Sequence, residues 1–305
     1  MFSILRLIRL PNLLMIALVQ ILVRYCIIMP AYLAEYHAVG IFPKHQSQID
    51  FSLLVFSTIL IAAAGYIIND VFDIYTDAIN KPGKNIIGIT ITAEKGKRWF
   101  FLLSSCGIAI AAYVAFKADK LSLAFIQLFT AVSLYMYSSF YQRRFLAGNI
   151  LIALLTALVT IVPALYEPEF YRNIIFVAIY SCFAFLLTIV REIIKDTEDL
   201  DGDEKSQYKT LPIQWGIRRV KITLTFLVCG ISILLFYFLQ KYFYTNTVIS
   251  FWNLCAICVL PVLALIYLVN TAEEKNDFHL ASQYTKVLML LGTLSMLPFY
   301  YFFLR

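Results

Sequence analysis

Long apolar runs constrain this chain more than any other feature. Stretches of roughly 17–25 mostly apolar residues recur along its whole length, which is what an α-helix needs to cross a hydrocarbon layer about 30 Å thick. Inside such a layer no water pairs with the backbone, so only helices or a closed barrel satisfy its N–H and C=O groups. Barrel strands would alternate in polarity every second residue, whereas these runs are continuous. The reading is all-α, with nine spans at about 12–33, 51–69, 99–116, 121–141, 146–166, 173–191, 221–240, 249–269 and 284–304.

Composition agrees. The 305 residues are 61% hydrophobic and only 14% charged, far from the globular average of roughly 45–50% apolar and about 25% charged. No segment outside the spans is long enough to fold alone, so residues 1–305 read as one integral membrane domain. The N-terminal stretch carries Arg6 and Arg9, and Pro11 opens the first span. It lacks a small-residue cleavage site and is expected to be retained.

Basic residues set the orientation. Arg6 and Arg9, the group Lys81 to Arg98, Arg143 with Arg144, and the group Arg191 to Lys221 all fall on one side of a nine-span chain. The positive-inside rule makes that side cytoplasmic, with the N-terminus there and Arg305 outside. The net charge of +6 is therefore a topology signal, and with no basic soluble domain, nucleic acid is not an expected partner. The six cysteines lie in or beside apolar runs, where thiols pack as small hydrophobes. Cys255-Ala-Ile-Cys258 lacks the strand-to-helix context of a redox site. His37, His45 and His279 form no ligand pattern.

Two polar stretches break the apolar rule at span ends. The first, Asn69-Asp70-Val71-Phe72-Asp73-Ile74-Tyr75-Thr76-Asp77, closes span 2. At about 100° per residue Asn69, Asp73 and Asp77 drift slowly round one side of a helix with Asp70 beside them, so the four can converge. The second runs from Arg191 to Asp203 at the end of span 6, with Asp196, Asp199 and Asp203 on one face of a continuing helix and Gly202 expected to loosen its last turn. Both follow even-numbered spans and share the cytoplasmic side, which suggests two four-helix halves plus one extra span with a site between them. Crowded carboxylates at a membrane boundary need a counter-charge, and oxygen-only ligands suit a hard ion such as Mg²⁺. Each cluster with basic residues in the following loop is what a Mg²⁺-bridged phosphate or diphosphate requires. An EF-hand starting at Asp199 fails because Glu204 stands where glycine is needed, and no P-loop exists.

These residues resemble a known family. Asn69-Asp70-x-x-Asp73-x-x-x-Asp77 and Lys195-Asp196-x-x-Asp199-x-x-Gly202-Asp203 are similar to the two signatures of the UbiA superfamily of intramembrane prenyltransferases. Arg9-Leu10-Pro11-Asn12, Tyr137-Ser138, Gly148-Asn149 and Lys209-Thr210-Leu211-Pro212 resemble its other elements. Gly65 to Asp70, Ile79-Asn80-Lys81-Pro82 and Arg191 to Asp196 are most similar to the branch that includes geranylgeranylglycerol-phosphate geranylgeranyltransferases.

The resemblance implies nine helices around a central cavity, an active site on the cytoplasmic side, and a bacterial or archaeal inner membrane. It implies two Mg²⁺ ions, one held by Asn69, Asp73 and Asp70 or Asp77 and the other by Asp196, Asp199 and Asp203. The carboxylates Asp73, Asp77, Asp199 and Asp203 become the expected catalytic groups. Lys81, Lys84, Arg143 and Lys209 become candidate contacts of a prenyl diphosphate donor, and Asn12 and Tyr137 of the rest of the substrates. Tyr66, Phe72, Tyr137 and Tyr141 offer aromatic faces to an allylic cation. The implied reaction transfers a polyprenyl group, geranylgeranyl in this branch, to a hydrophobic lipid or glycerol-phosphate-type acceptor. Other readings are an aromatic prenyltransferase acting on 4-hydroxybenzoate or naphthoate, an ion-coupled transporter, and a non-catalytic prenyl-diphosphate-binding membrane protein.

Overall fold

The computed structural model describes residues 2–30, 47–80, 82–83, 85–167, 173–243 and 248–301. Lys81 and Lys84, expected at the diphosphate, fall outside the described residues, as do His37, His45 and the far ends of the first and last expected spans. Nearly everything described is helical. A short α1 (Phe2–Leu7) leads to α2 (Leu10–Leu22), which continues as a π-helical turn over Val23–Ile28. Then come α3 (Gln48–Phe72), short α4 (Ile74–Asn80), α5 (Ala93–Ala118), α6 (Leu121–Ser139), α7 (Ala147–Tyr166) and α8 (Ile174–Glu198). Short α9 (Leu200–Lys205) and α10 (Leu211–Trp215) precede α11 (Ile217–Phe243), α12 (Val248–Thr271), α13 (Lys275–Leu294) and α14 (Met296–Phe299).

Among the described residues, seven helices are long and apolar enough to cross a membrane: α2 with its π turn, α3, α5, α6, α7, α8 and α11. The helix α12 contributes a shorter apolar stretch, Cys258–Thr271. Helix α13 is long but more polar, because Lys275, Asn276, Asp277 and His279 crowd its start.

Packing follows small residues and a few buried polar clasps. Helix α3 lies against α5 and α6, α7 against α8, α11 against α12, and α13 against α8 and α12. At Gly107 a Cβ would sit 2.7 Å from Ile61 Cγ1, so α5 approaches α3 as closely as it does only because that atom is missing. There Ser57 Oγ donates to the Gly107 carbonyl at 2.8 Å. Deeper in the bundle Gln127 Nε2 donates to Thr58 Oγ1 at 2.8 Å, and Gln20 reaches the same hydroxyl from α2 at 3.4 Å. With no water to replace them, such bonds tie three helices together.

At the end of the bundle away from the two acid motifs, Arg24 of the π turn pairs with Glu167 at 2.8 Å, the side chains 1% and 0% exposed. The guanidinium also lies over the Phe51 ring, 4.3 Å from its centroid. Between α2, α3, α6, α7, α8, α11 and α13 runs a cavity of about 1040 Å³. Its wall is apolar along Met15, Val19, Leu134, Val159 and Phe183, and Tyr180, Phe238 and Phe299 line it far from the acid motifs.

Candidate active site

Both acid motifs sit where a long helix breaks. Helix α3 ends at Phe72, Asp73 takes a non-helical conformation, and α4 restarts at Ile74. Likewise α8 ends at Glu198, Asp199 interrupts it, and α9 restarts at Leu200. The expectation of acids along continuous helical faces is thus corrected. A single helix would line up like charges one above another, whereas a break lets the second half of each motif turn across the bundle end.

That turn docks one motif on the other. Asn80, at the end of α4, donates from Nδ2 to the Asp199 carbonyl at 3.1 Å and accepts from the Gly202 N–H at 2.9 Å. A Cβ on Gly202 would fall 2.4 Å from Asn80 Nδ2 and 2.5 Å from its Cγ. Gly202 therefore does not loosen the turn; it makes room for the clasp. Around it Thr76 Oγ1 shares a hydrogen bond with Ser206 Oγ at 3.0 Å and donates to Tyr208 Oη at 3.3 Å. Lys275 Nζ, opening α13, donates to the Asn80 carbonyl at 2.9 Å.

The carboxylates are held individually. Asp73 is 6% exposed and accepts from Asn69 Nδ2 at 2.6 Å and from Gln142 Nε2 at 2.8 and 3.0 Å. Asp196 accepts from Asn149 Nδ2 at 2.8 Å. Asp70 turns to Arg9, whose Nη2 lies 3.0 Å from Oδ1. Asp77 is half-buried on α4 and Asp203 is buried on α9. Among the described residues no three acidic, histidine or cysteine side chains close into a group able to hold a metal ion. Asp70, Asp73 and Asp196 each take an amide or guanidinium partner, which offsets repulsion among the crowded carboxylates.

Protonation reports the same cost. Burial pushes the Asp73 carboxyl up to about 6, opposed by its Gln142 hydrogen bond and by Lys195. Burial, then Asp196 and Asp199, push Asp203 up to about 8. The donor set fits a hard divalent ion: Asn69, Asp70, Asp73 and Asp77 on one side and Asp196, Asp199 and Asp203 on the other offer oxygen only. Gln142 adds a buried amide oxygen, Oε1, that has no hydrogen-bond partner.

Asn12 and Tyr137 line the cavity, as does Asn69, with Arg9, Tyr66, Arg191, Glu192, Lys195 and Lys286 completing its polar region. Arg143 lies elsewhere, 5.4 Å over the Tyr208 ring, in a smaller recess with Phe72, Thr76 and Lys205. Lys209 is exposed and lines neither space; its N–H donates to the Arg143 carbonyl at 3.0 Å. Of the aromatic candidates, Tyr66 and Tyr137 face the cavity, while Phe72 packs edge-on against Tyr135 and Tyr141 against Phe140.

Sequence reasoning missed Gln142, Asn80 as a clasp, Arg9 and Lys286. Arg9 sits at φ 52°, a left-handed conformation uncommon outside glycine. This conformation at the N-cap of α2 sends its guanidinium to Asp70 and over Tyr66, 4.9 Å from the ring centroid.

Comparisons with known proteins extend these observations. The digeranylgeranylglyceryl phosphate synthase of Korarchaeum cryptofilum is 32% identical over 241 residues, 78% of this chain and 81% of that protein. A solved structure of digeranylgeranylglyceryl phosphate synthase is similar with a TM-score of 0.64 at 24% identity, over 97% of this chain and 96% of that one. A UbiA homolog from Archaeoglobus fulgidus bound to DMAPP and Mg²⁺ has the same fold, with a TM-score of 0.62 at 17% identity over 97% and 99% of the two chains. The profile of the UbiA prenyltransferase family matches residues 27–297, nearly the whole chain, and the chain belongs to that family.

Proposed function

We propose that this prenyltransferase moves a geranylgeranyl group from its diphosphate to a glycerol-phosphate-type lipid acceptor, with Mg²⁺ as cofactor and diphosphate as leaving group. One observation carries the reading: Asn69 and Lys195, one from each docked acid motif, lie at the polar end of a single apolar cavity. The acceptor class rests on the likeness to digeranylgeranylglyceryl phosphate synthase, and the donor class on that likeness and on the prenyl diphosphate and Mg²⁺ bound by the Archaeoglobus homolog.

Two ions fit the residues, one at Asn69, Asp73 and Asp70 or Asp77, the other at Asp196, Asp199 and Asp203. When bound, Mg²⁺ would neutralise charge developing on the leaving diphosphate. The chain's own residues do the rest. Lys195 and Arg9 bring fixed positive charge to the diphosphate end, a contribution worth most as the C–O bond breaks. Lys81 and Lys84, which follow the first acid motif in the sequence, are read as further contacts of the diphosphate, whereas Arg143 and Lys209 do not line this cavity. The apolar wall excludes water from the allylic carbon, and the faces of Tyr66 and Tyr137 stabilise its positive charge. As the C–O bond breaks, its electron pair leaves with the diphosphate; the acceptor hydroxyl oxygen bonds to the same carbon, and its proton passes to a carboxylate of the acid motifs.

The architecture is read as one domain over 1–305, in which α12 and α13 supply the remaining two of nine spans. Basic residues beside both acid motifs put the site and the N-terminus in the cytoplasm and the C-terminus outside, in the inner membrane of a bacterial or archaeal cell. The test is to incubate the purified protein with geranylgeranyl diphosphate, Mg²⁺ and a panel of acceptors and weigh the product. Transfer to geranylgeranylglyceryl phosphate is expected, with Asp73→Ala and Asp199→Ala down by two orders of magnitude or more. Undiminished turnover in either folded variant would sink the mechanism.

A further inference from the structure

The cavity contains a lysine that the acid motifs do not explain. Lys286, in the middle of α13, lines the cavity, is half-buried, and among the described residues has no hydrogen-bond or ion-pair partner. An ammonium group inside a bundle of membrane helices is costly and is retained for a reason. The charges that act on it are mostly of its own sign: Arg191, Arg9 and Lys195, with Glu198 opposing. Arg191 pairs with its neighbour Glu192 through Nη1, while its Nε is buried without a hydrogen-bond partner. Two cations thus face one space with spare donors.

Their depth distinguishes them from the diphosphate end. Helices α8 and α13 run antiparallel, since Glu198 near the end of α8 meets His279 near the start of α13 at 2.8 Å. Tyr180 meets Ser295 at 3.2 Å, which fixes the register further down. Seven residues inward from Glu198 and His279 come Arg191 and Lys286, so their backbones lie at the same level, about 10 Å inward of that pair at 1.5 Å per residue. A prenyl diphosphate held at those motifs points its first carbon into the cavity. An attacking hydroxyl must come within about 3–3.5 Å of that carbon. In a glycerol phosphate lipid, four bonds of about 1.5 Å separate the attacking secondary hydroxyl from phosphorus, a further reach of up to about 5 Å. The two steps sum to about 8–8.5 Å, and the long side chains of Arg191 and Lys286 cover the difference from their backbone level.

We infer that Arg191 and Lys286 form a second anion site that binds the phosphate monoester of the acceptor. The assignment rests on the functional reading above and makes it more specific. Arg191 offers a planar fork suited to two phosphate oxygens, and Lys286 offers a point charge from the opposite helix. Together they orient the acceptor headgroup so that its hydroxyl, and not its tail, meets the donor.

The experiment compares wild type, Lys286→Met and Lys286→Arg with two acceptors, geranylgeranylglyceryl phosphate and its dephosphorylated alcohol. Lys286→Met is expected to raise the KM for the phosphate acceptor 10–100-fold, the loss of one charge-assisted contact. The KM for geranylgeranyl diphosphate should stay within about threefold, the alcohol should be used equally by both proteins, and Lys286→Arg should recover most of the loss. Because the change removes a half-buried charge that has no partner among the described residues, the variant should melt no lower than wild type. An unchanged acceptor KM, or an equal rise in the donor KM, would overturn the site. Wild type that prenylates 4-hydroxybenzoate and not the phosphate lipid would instead overturn the functional reading. In that case calorimetric binding of geranylgeranylglyceryl phosphate to wild type and Lys286→Met decides the site, equal affinity or no binding overturning it.

Discussion

Replacing Gly202 with alanine tests whether the two acid motifs work as one unit. The new Cβ would meet Asn80 at 2.4–2.6 Å across all three atoms of its amide group. A free side chain could swing away cheaply, but this one is 7% exposed and pinned by bonds to the Asp199 carbonyl and the Gly202 N–H. Moving it forfeits two hydrogen bonds at about 1 kcal/mol each, while keeping it in place costs about 1–3 kcal/mol of overpacking, so by either route a loss of about 1–3 kcal/mol is expected. In detergent this should lower the apparent Tm by roughly 3–10 °C. Transfer should fall more steeply, by about 100-fold, because a shift near 1 Å between the motifs spoils the reacting geometry.

Asn80→Ala supplies the control. It strands the same buried groups and costs about 2–3 kcal/mol by itself, but it also empties the space the alanine needs. The Asn80→Ala/Gly202→Ala protein should therefore be little worse than Asn80→Ala alone, a coupling of about 1–3 kcal/mol in a double-mutant cycle. Additive losses, or a Gly202→Ala protein with wild-type melting and Mg²⁺ activation, would refute the clasp.

Two more predictions concern charge. Asp73 and Asp203 titrate near 6 and 8, above the unfolded value of about 3.9, so their protonated forms favour the fold. Their stabilising contribution is whole below about pH 4 and is lost as pH rises through 6 and 8. In EDTA the melting temperature should fall between pH 5 and 9, Mg²⁺ should reverse the fall most strongly at the alkaline end, and a slope that persists in Asp73→Asn/Asp203→Asn would refute the assignment. Separately, Arg24→Met leaves Glu167 buried without its guanidinium and should cost about 3–5 kcal/mol by thermal or denaturant unfolding. Destabilisation no greater than that of a surface arginine variant would contradict a buried pair.

The helices were legible because lipid imposes a length and a polarity that any sequence must show. The acid motifs were legible because carboxylates at span ends are expensive. The breaks at Asp73 and Asp199 were not, since no glycine or proline marks either position and the cause is docking between residues more than 100 apart. The Arg9 contact with Asp70 and the Gln142 contact with Asp73 were hidden because their partners lie 61 and 69 residues apart in the chain. Lys286 stayed out of view because one charge in a long apolar run reads as tolerated until the cavity beside it is seen.

The ring cluster at the far end of the cavity sets a length along the bundle. From Lys195 to Tyr180, both cavity-lining residues of α8, are fifteen residues of helix, about 22 Å. Below Tyr180, Phe176 stacks edge-on with Phe299 at 4.8 Å and with Phe238 at 6.4 Å, a plug of rings from three helices. An extended geranylgeranyl chain, its zigzag built from bonds of about 1.5 Å, is about 19 Å long. The span of helix between the acid motifs and this ring cluster is thus close to the length of an extended geranylgeranyl chain.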